Sequence, residues 1–116
     1  MRKKTFKRLA GYLVAIYANR LYKKAVQKAD AAYTKTRGRN YVVSGFNDVS
    51  KLLVINREEF RAAKKTFNLQ GHDISKLKQG AWYYTMDRSG EGMSEKDKEI
   101  RRLAFIRYML KRAKLA

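Results

Sequence analysis

From about Lys3 to Tyr33 nothing in the sequence stops a helix. There is one glycine, no proline, and an abundance of Ala, Leu, Lys and Arg, all good helix formers. Within this stretch Phe6, Leu9, Leu13, Ile16, Tyr17 and Leu21 recur at spacings of three and four, and Ala25, Ala29 and Ala32 continue the pattern in smaller residues. That spacing predicts an apolar stripe. In a chain of 116 residues, enough for a single domain (1–116) with one modest core, much of the remaining chain must pack along such a helix.

A second helix is expected at the other end, about 94–114. Ser94 with Asp97 reads as its cap, and Glu95, Asp97 and Glu99 occupy its first turns. Arg101, Arg102, Arg107, Lys111, Arg112 and Lys114 come next without another acid, the order a helix macrodipole favours. Leu103, Ile106, Leu110 and Ala113 predict the buried side, against the first helix. Phe105 and Met109 fall on a different side and are the candidate interface residues, since aromatics and methionine are enriched in interface cores. Burial beneath the first helix is the alternative for them.

Between the helices the pattern changes. Thr34 to Asn40 is a polar connector in which Gly38 is available for a positive φ angle. Tyr41-Val42-Val43 and Leu52-Leu53-Val54-Ile55 read as two strands of a hairpin, with Asn47-Asp48 in the turn and room for a bulge or extended tip in Ser44 to Ser50. Asn56 followed by Arg57-Glu58-Glu59 nearly spells a capping box, so a helix begins there, with Phe60, Ala63 and Phe67 inward and its end in Asn68 to Gly71. One turn of helix at Ile74 to Leu77 and Gly80 precede Ala81-Trp82-Tyr83-Tyr84-Thr85, aromatic enough for a third strand. The fold class expected is α+β: a small three-stranded antiparallel sheet in a ββαβ unit (about 40–85) flanked by long N- and C-terminal helices.

Charge narrows the function. Twenty-eight Lys and Arg against ten Asp and Glu leave a net charge of +18, and residues 1 to 37 hold eleven basic side chains against one acidic. Self-repulsion of that size disfavours the compact state unless a polyanion or acidic partner relieves it. Nucleic acid is the first candidate, because phosphate contacts need only cations arranged on a surface. The candidate contacts are Arg2, Lys3, Lys4, Lys7 and Arg8 at the start, Arg37 and Arg39 in the connector, and Arg101, Arg102, Arg107, Lys111 and Arg112 at the end. Trp82, Tyr83 and Tyr84 offer faces for stacking on unpaired bases, although some of them, Trp82 first, are expected in the core. No helix-turn-helix, zinc finger or RNP-type string is present, so no base specificity can be assigned.

Enzyme chemistry has little to stand on. There is no cysteine, and the single histidine, His72 beside Asp73, reads as a surface turn. Asp48, Asp73, Asp87 and Glu91 sit one each in separate loops, and the remaining acids serve helix starts, so no metal set, catalytic residue or cofactor is expected. Ser89-Gly90-Glu91-Gly92 lacks the lysine that ends a phosphate-binding loop, and Asp87-Arg88 reads as a local ion pair. The N-terminal MRKKTFKR-LAGYLVAIYA has the order of a signal peptide, but its ten-residue apolar run holds Gly11, Tyr12 and Tyr17 and has no small-x-small site after it, so no cleavage is expected. It is half the length a membrane span needs.

The stretch SEKDKEIRRLAFIRYMLKRAKLA with the preceding DRSG resembles small, basic, uncharacterised proteins encoded by bacteriophages. That resemblance implies a virion component or a DNA-associated accessory protein, located in the cytoplasm or within a virion, and supplies no functional residue. The leading expectation is a non-enzymatic protein that binds DNA or RNA with little sequence preference. The alternative is a small structural subunit, for example of a virion, that docks through its long helices onto an acidic protein partner or as a homo-oligomer. A membrane surface, with the tyrosines and leucines of the first helix among headgroups, is the least favoured partner.

Overall fold

A computed structural model describes residues 3–45, 51–66 and 74–115. Its elements are α1 (Lys3–Thr36), β1 (Asn40–Ser44), β2 (Leu52–Asn56), α2 (Arg57–Thr66), α3 (Ile74–Gly80), β3 (Tyr83–Tyr84) and α4 (Glu95–Arg112). The α+β class and both long terminal helices are as the sequence implies. At 1.5 Å per residue the 34 residues of α1 span about 51 Å, which sets the 52 Å long axis of the molecule. The tip of the hairpin, Phe67 to Gly71 and the His72-Asp73 pair lie outside the described residues.

The three strands form an antiparallel sheet in the order β2-β1-β3. Tyr41 stands opposite Ile55 on one side and Tyr84 on the other, so β1 is the central strand. Strand β3 is shorter than the aromatic run suggests. Only Tyr83 and Tyr84 are paired as strand, but Trp82 N–H donates to Val42 O (2.8 Å) and Thr85 N–H to Asn40 O (2.9 Å), extending the contact at both ends. Helix α3 runs to Gly80, longer than the single turn expected.

Local signals set the helix ends. Asn56 Oδ1 accepts from Glu59 N–H (2.8 Å) and Glu59 Oε1 from Asn56 N–H (3.1 Å), the reciprocal capping box that starts α2. Ser94 Oγ accepts from Asp97 N–H at 3.1 Å and starts α4. The left-handed residue after α1 is Arg37 (φ 59°), not Gly38, and its N–H closes back on Tyr33 O. At the end of α4, Lys114 takes the same conformation, with Leu115 N–H on Leu110 O.

The core lies where α1 crosses the sheet with α4 packed beside it. Ala25 and Ala29 of the expected α1 stripe are buried, but Leu9, Leu13 and Tyr17 of that stripe and Leu103 and Ala113 of α4 are turned outward, and Phe105 and Met109 take the alternative of burial. On α1 the buried residues are Ala18, Tyr22, Ala25 and Ala29, whereas Leu9, Leu13 and Tyr17 are 50%, 57% and 58% exposed. On α4, Phe105 and Met109 are buried while Leu103 is 47% exposed, Ala113 is exposed, and Ile106 and Leu110 are half-buried. Size explains the choice. Three alanines let the α1 backbone approach the sheet closely, and the space beneath α4 is filled by a cluster of rings in which Phe105 lies 5.9 Å from Tyr22 and 5.3 Å from Trp82. Tyr22 and Tyr83 are buried with their hydroxyls satisfied, donating to Trp82 O (2.7 Å) and Asp30 Oδ1 (2.6 Å).

The two long helices run antiparallel. A Cβ on Gly11 would lie 3.9 Å from Leu110, and Arg102 Nη1 donates to Asn19 Oδ1 at 2.8 Å, so rising numbers on α1 meet falling numbers on α4.

Candidate nucleic-acid interface

Twelve cations were expected at an interface, and they separate into three groups. Arg2 and the side chains of Lys3 and Lys4 lie outside the described residues. Arg39, Arg101 and Arg102 are held by the fold itself. Lys7, Arg8, Arg37, Arg107, Lys111 and Arg112 are exposed.

Arg39 shows how the second group is engaged. Its side chain is only 12% exposed. Nε donates to Thr85 O (3.1 Å) and Nη2 to Glu91 O (2.6 Å), while Asp87 and Glu91 carboxylates stand 3.6 and 3.7 Å away. Its guanidinium lies 4.8 Å from the Tyr84 ring centroid, and Arg101 and Lys78 approach the same ring at 5.4 and 5.5 Å. Arg101 Nη1 also donates to Lys78 O at 3.1 Å, fastening α4 to α3. Arg102 is shared between Glu99 and Asn19. Asp87 therefore pairs with Arg39, not with its neighbour Arg88.

These contacts leave their mark on the acids. The Ser89 hydroxyl bonded to Asp87 holds that carboxyl below the usual range, the Lys78 ammonium does so for Glu91, and Arg102 for Glu99. Burial pushes the Tyr22 hydroxyl up to about 12; burial, then the bond to Asp30, raises Tyr83. Neither phenol titrates near neutrality.

The exposed group is gathered by topology. Every acid of the chain lies between Asp30 and Glu99, so residues 1–29 and 100–116 carry fifteen Lys and Arg and no Asp or Glu. The antiparallel α1–α4 pair lays these two segments side by side. Lys7, Arg8, Arg107, Lys111, Arg112 and Lys114 are exposed at that end, with Arg112 5.8 Å from the Tyr108 ring. This arrangement favours a polyanion by charge alone. The α1 N-terminus has no acid in its first turn, so no carboxylate offsets the positive end of the helix dipole there.

The aromatic run does not form a platform. Tyr83 and Tyr84 are buried, and Trp82 is half-buried between Phe105 and Tyr108, each 5.3 Å from its ring, with Nε1 donating to Ser44 Oγ. Phe105 and Met109 likewise belong to the core and are unavailable as a docking surface. At the opposite end an open cleft of about 730 Å³ is bordered by Arg57, Arg61 and Arg88 together with Glu58, Asp87 and Ser89. Sequence reasoning did not bring this cluster together, because what joins Arg57 and Arg61 to Arg88 is the fold. The cleft mixes both signs of charge, unlike the acid-free end.

Among the described residues no group of His, Cys, Asp and Glu could hold a metal ion, and no helix is long and apolar enough to cross a membrane. No known protein family, curated protein or solved structure matches the chain.

Proposed function

We propose that this protein binds nucleic acid, DNA or RNA, through backbone phosphates with little sequence preference, acting as a non-enzymatic accessory protein in the cytoplasm or inside a virion. The observation that carries this reading is the acid-free end of the α1–α4 pair, where six exposed cations stand with no described carboxylate to compete for them. Arg39, Arg101 and Arg102 are left out of the contact set because the fold uses them. With Trp82, Tyr83 and Tyr84 packed, phosphates rather than unstacked bases are what the surface suits. The test is a salt titration of binding to a short DNA duplex and a single-stranded RNA. Replacing Arg107, Lys111, Arg112 and Lys114 with Gln should lower the slope of log affinity against log salt by about one per phosphate-contacting cation, roughly equally for unrelated sequences. Absence of binding to either polymer at low salt would sink the proposal.

One observation favours a second reading, a structural subunit that docks in a larger assembly through its long helices: aliphatic side chains of α1 and α4 that the core does not use face solvent.

A further inference from the structure

Helix α1 is apolar on two opposite sides. Ala18 is buried against the rest of the chain, and Leu9, about two and a half turns earlier, points the other way. Leu9, Leu13 and Ile16 succeed one another at the alternating four-and-three spacing of a helix–helix seam, with Tyr12 and Tyr17 beside them. Tyr12 is 67% and Leu13 57% exposed, and Ile16 is half-buried. The core has no claim on this seam. Nothing in folding the isolated chain rewards aliphatic residues there, and their exposure is what a surface completed by another helix shows.

Charge says which helix. Exposed cations stand at both ends of the seam, Arg8 before it and Arg20, Lys23 and Lys24 after it, and no acid occurs in residues 1–29. A second copy laid on the seam, parallel or antiparallel, sets these cations against their own kind. It has few acids to offer elsewhere, because Glu95, Glu99, Asp87 and Glu91 are paired with Lys98, Arg102, Arg39 and Lys78. A lipid surface would be served by cations along the sides of the seam, but those positions are Ala10, Tyr12, Tyr17 and Asn19.

We propose that the outer seam of α1 (Leu9, Tyr12, Leu13, Ile16, Tyr17) docks an amphipathic α-helix of a partner protein, one whose apolar face is bounded at its ends by acidic residues. The inference rests on the docking reading of the long helices; it shares Arg8 with the proposed nucleic-acid surface, but the four α4 cations replaced to test that binding lie on another helix, so the two tests are distinguishable.

The probe is a synthetic helical peptide of about three heptads with Leu and Ile at the seam positions and Glu at both ends, titrated into the full chain by fluorescence anisotropy at physiological salt. A scrambled peptide of equal composition measures the general attraction of acid to a +18 chain. The seam peptide should bind at least about tenfold more tightly than the scrambled one, and Leu13→Glu should remove that difference without changing the circular dichroism spectrum or Tm. Tyr17→Glu is the second variant should Leu13→Glu perturb folding. Equal binding of seam and scrambled peptides overturns the inference. If sedimentation shows dimers that Leu13→Glu dissolves while the peptide fails, docking stands with a second copy as occupant and the acidic helix is wrong. Binding to phosphatidylserine vesicles in place of the peptide, lost in Leu13→Glu, overturns it in favour of lipid. A chain that stays monomeric and binds neither peptide nor vesicle ends both the inference and the docking reading.

Discussion

Lys114 occupies a place where most helices carry glycine. Its φ of 59° is in the left-handed region, and the bonds from Lys114 N–H to Lys111 O and Leu115 N–H to Leu110 O form a complete helix-terminating motif around it. A side chain in that conformation costs about 1 kcal/mol relative to glycine. Lys114→Gly is therefore expected to raise Tm by a few degrees in thermal denaturation while weakening nucleic-acid binding, and a fall in Tm would show the lysine stabilises its site some other way. The same scale governs acid sensitivity. Asp87 and Glu91 are depressed in the folded state, so the stability they contribute is present above their unfolded values and is lost as pH falls through the folded ones. A Tm profile from about pH 6 down to pH 2 should show wild type above Glu91→Gln at the upper end and the two converging at the lower end. A gap that persists undiminished to the acid end would mean that the Glu91 carboxylate's charge is not what stabilises.

At the scale of elements, Asn56 joins β2 to α2. Because its side chain and that of Glu59 satisfy each other's backbone N–H groups, Asn56→Ala should cost about 1 kcal/mol, read from urea denaturation as a shift in midpoint with unchanged slope. Such caps were legible in the sequence because they are closed within four residues, and so were the hairpin and the order of helices and strands. The side on which each long helix is buried was legible only in part, Ala25 and Ala29 being buried as expected while Leu9, Leu13 and Leu103 are not. Periodicity locates apolar stripes, but α1 and α4 each carry two, and the choice between Leu9 and Ala18, or between Leu103 and Phe105, depends on how much space the partner element leaves. The outcome put Leu9, Leu13 and Leu103 outside, left Leu21, Ile106 and Leu110 half-buried, and put alanines and rings inside. The cation set failed in part for a related reason: Arg39, Arg101 and Arg102 look like any arginine in a sequence, and only the fold brings backbone carbonyls and the Tyr84 ring to them.

For the whole molecule, the net charge of +18 and the segregation of all acids into residues 30–99 set two salt responses of opposite sign. Adding salt weakens the ion pairs, but those involving Glu91, Glu95 and Glu99 are largely exposed, and exposed pairs contribute little to stability. It also screens the repulsion among the cations of α1 and α4, many of which, such as Lys7 and Lys28 at roughly 30 Å along the helix, are further apart than the Debye length of roughly 10 Å at 0.1 M. The repulsion involves many more pairs than the attraction, so it should win, and the free protein should melt at a higher temperature in about 0.3 M salt than in 0.01 M. A short DNA duplex at low salt should raise Tm in the same way, by neutralising the same cations, and that increment should vanish as salt is added because binding is lost through counterion competition. Converging curves, free protein rising and complex falling to meet it, are the expected result of differential scanning fluorimetry across this range. If the free protein instead becomes less stable with salt, its ion pairs outweigh its self-repulsion, and the physical reason for expecting a polyanion is gone.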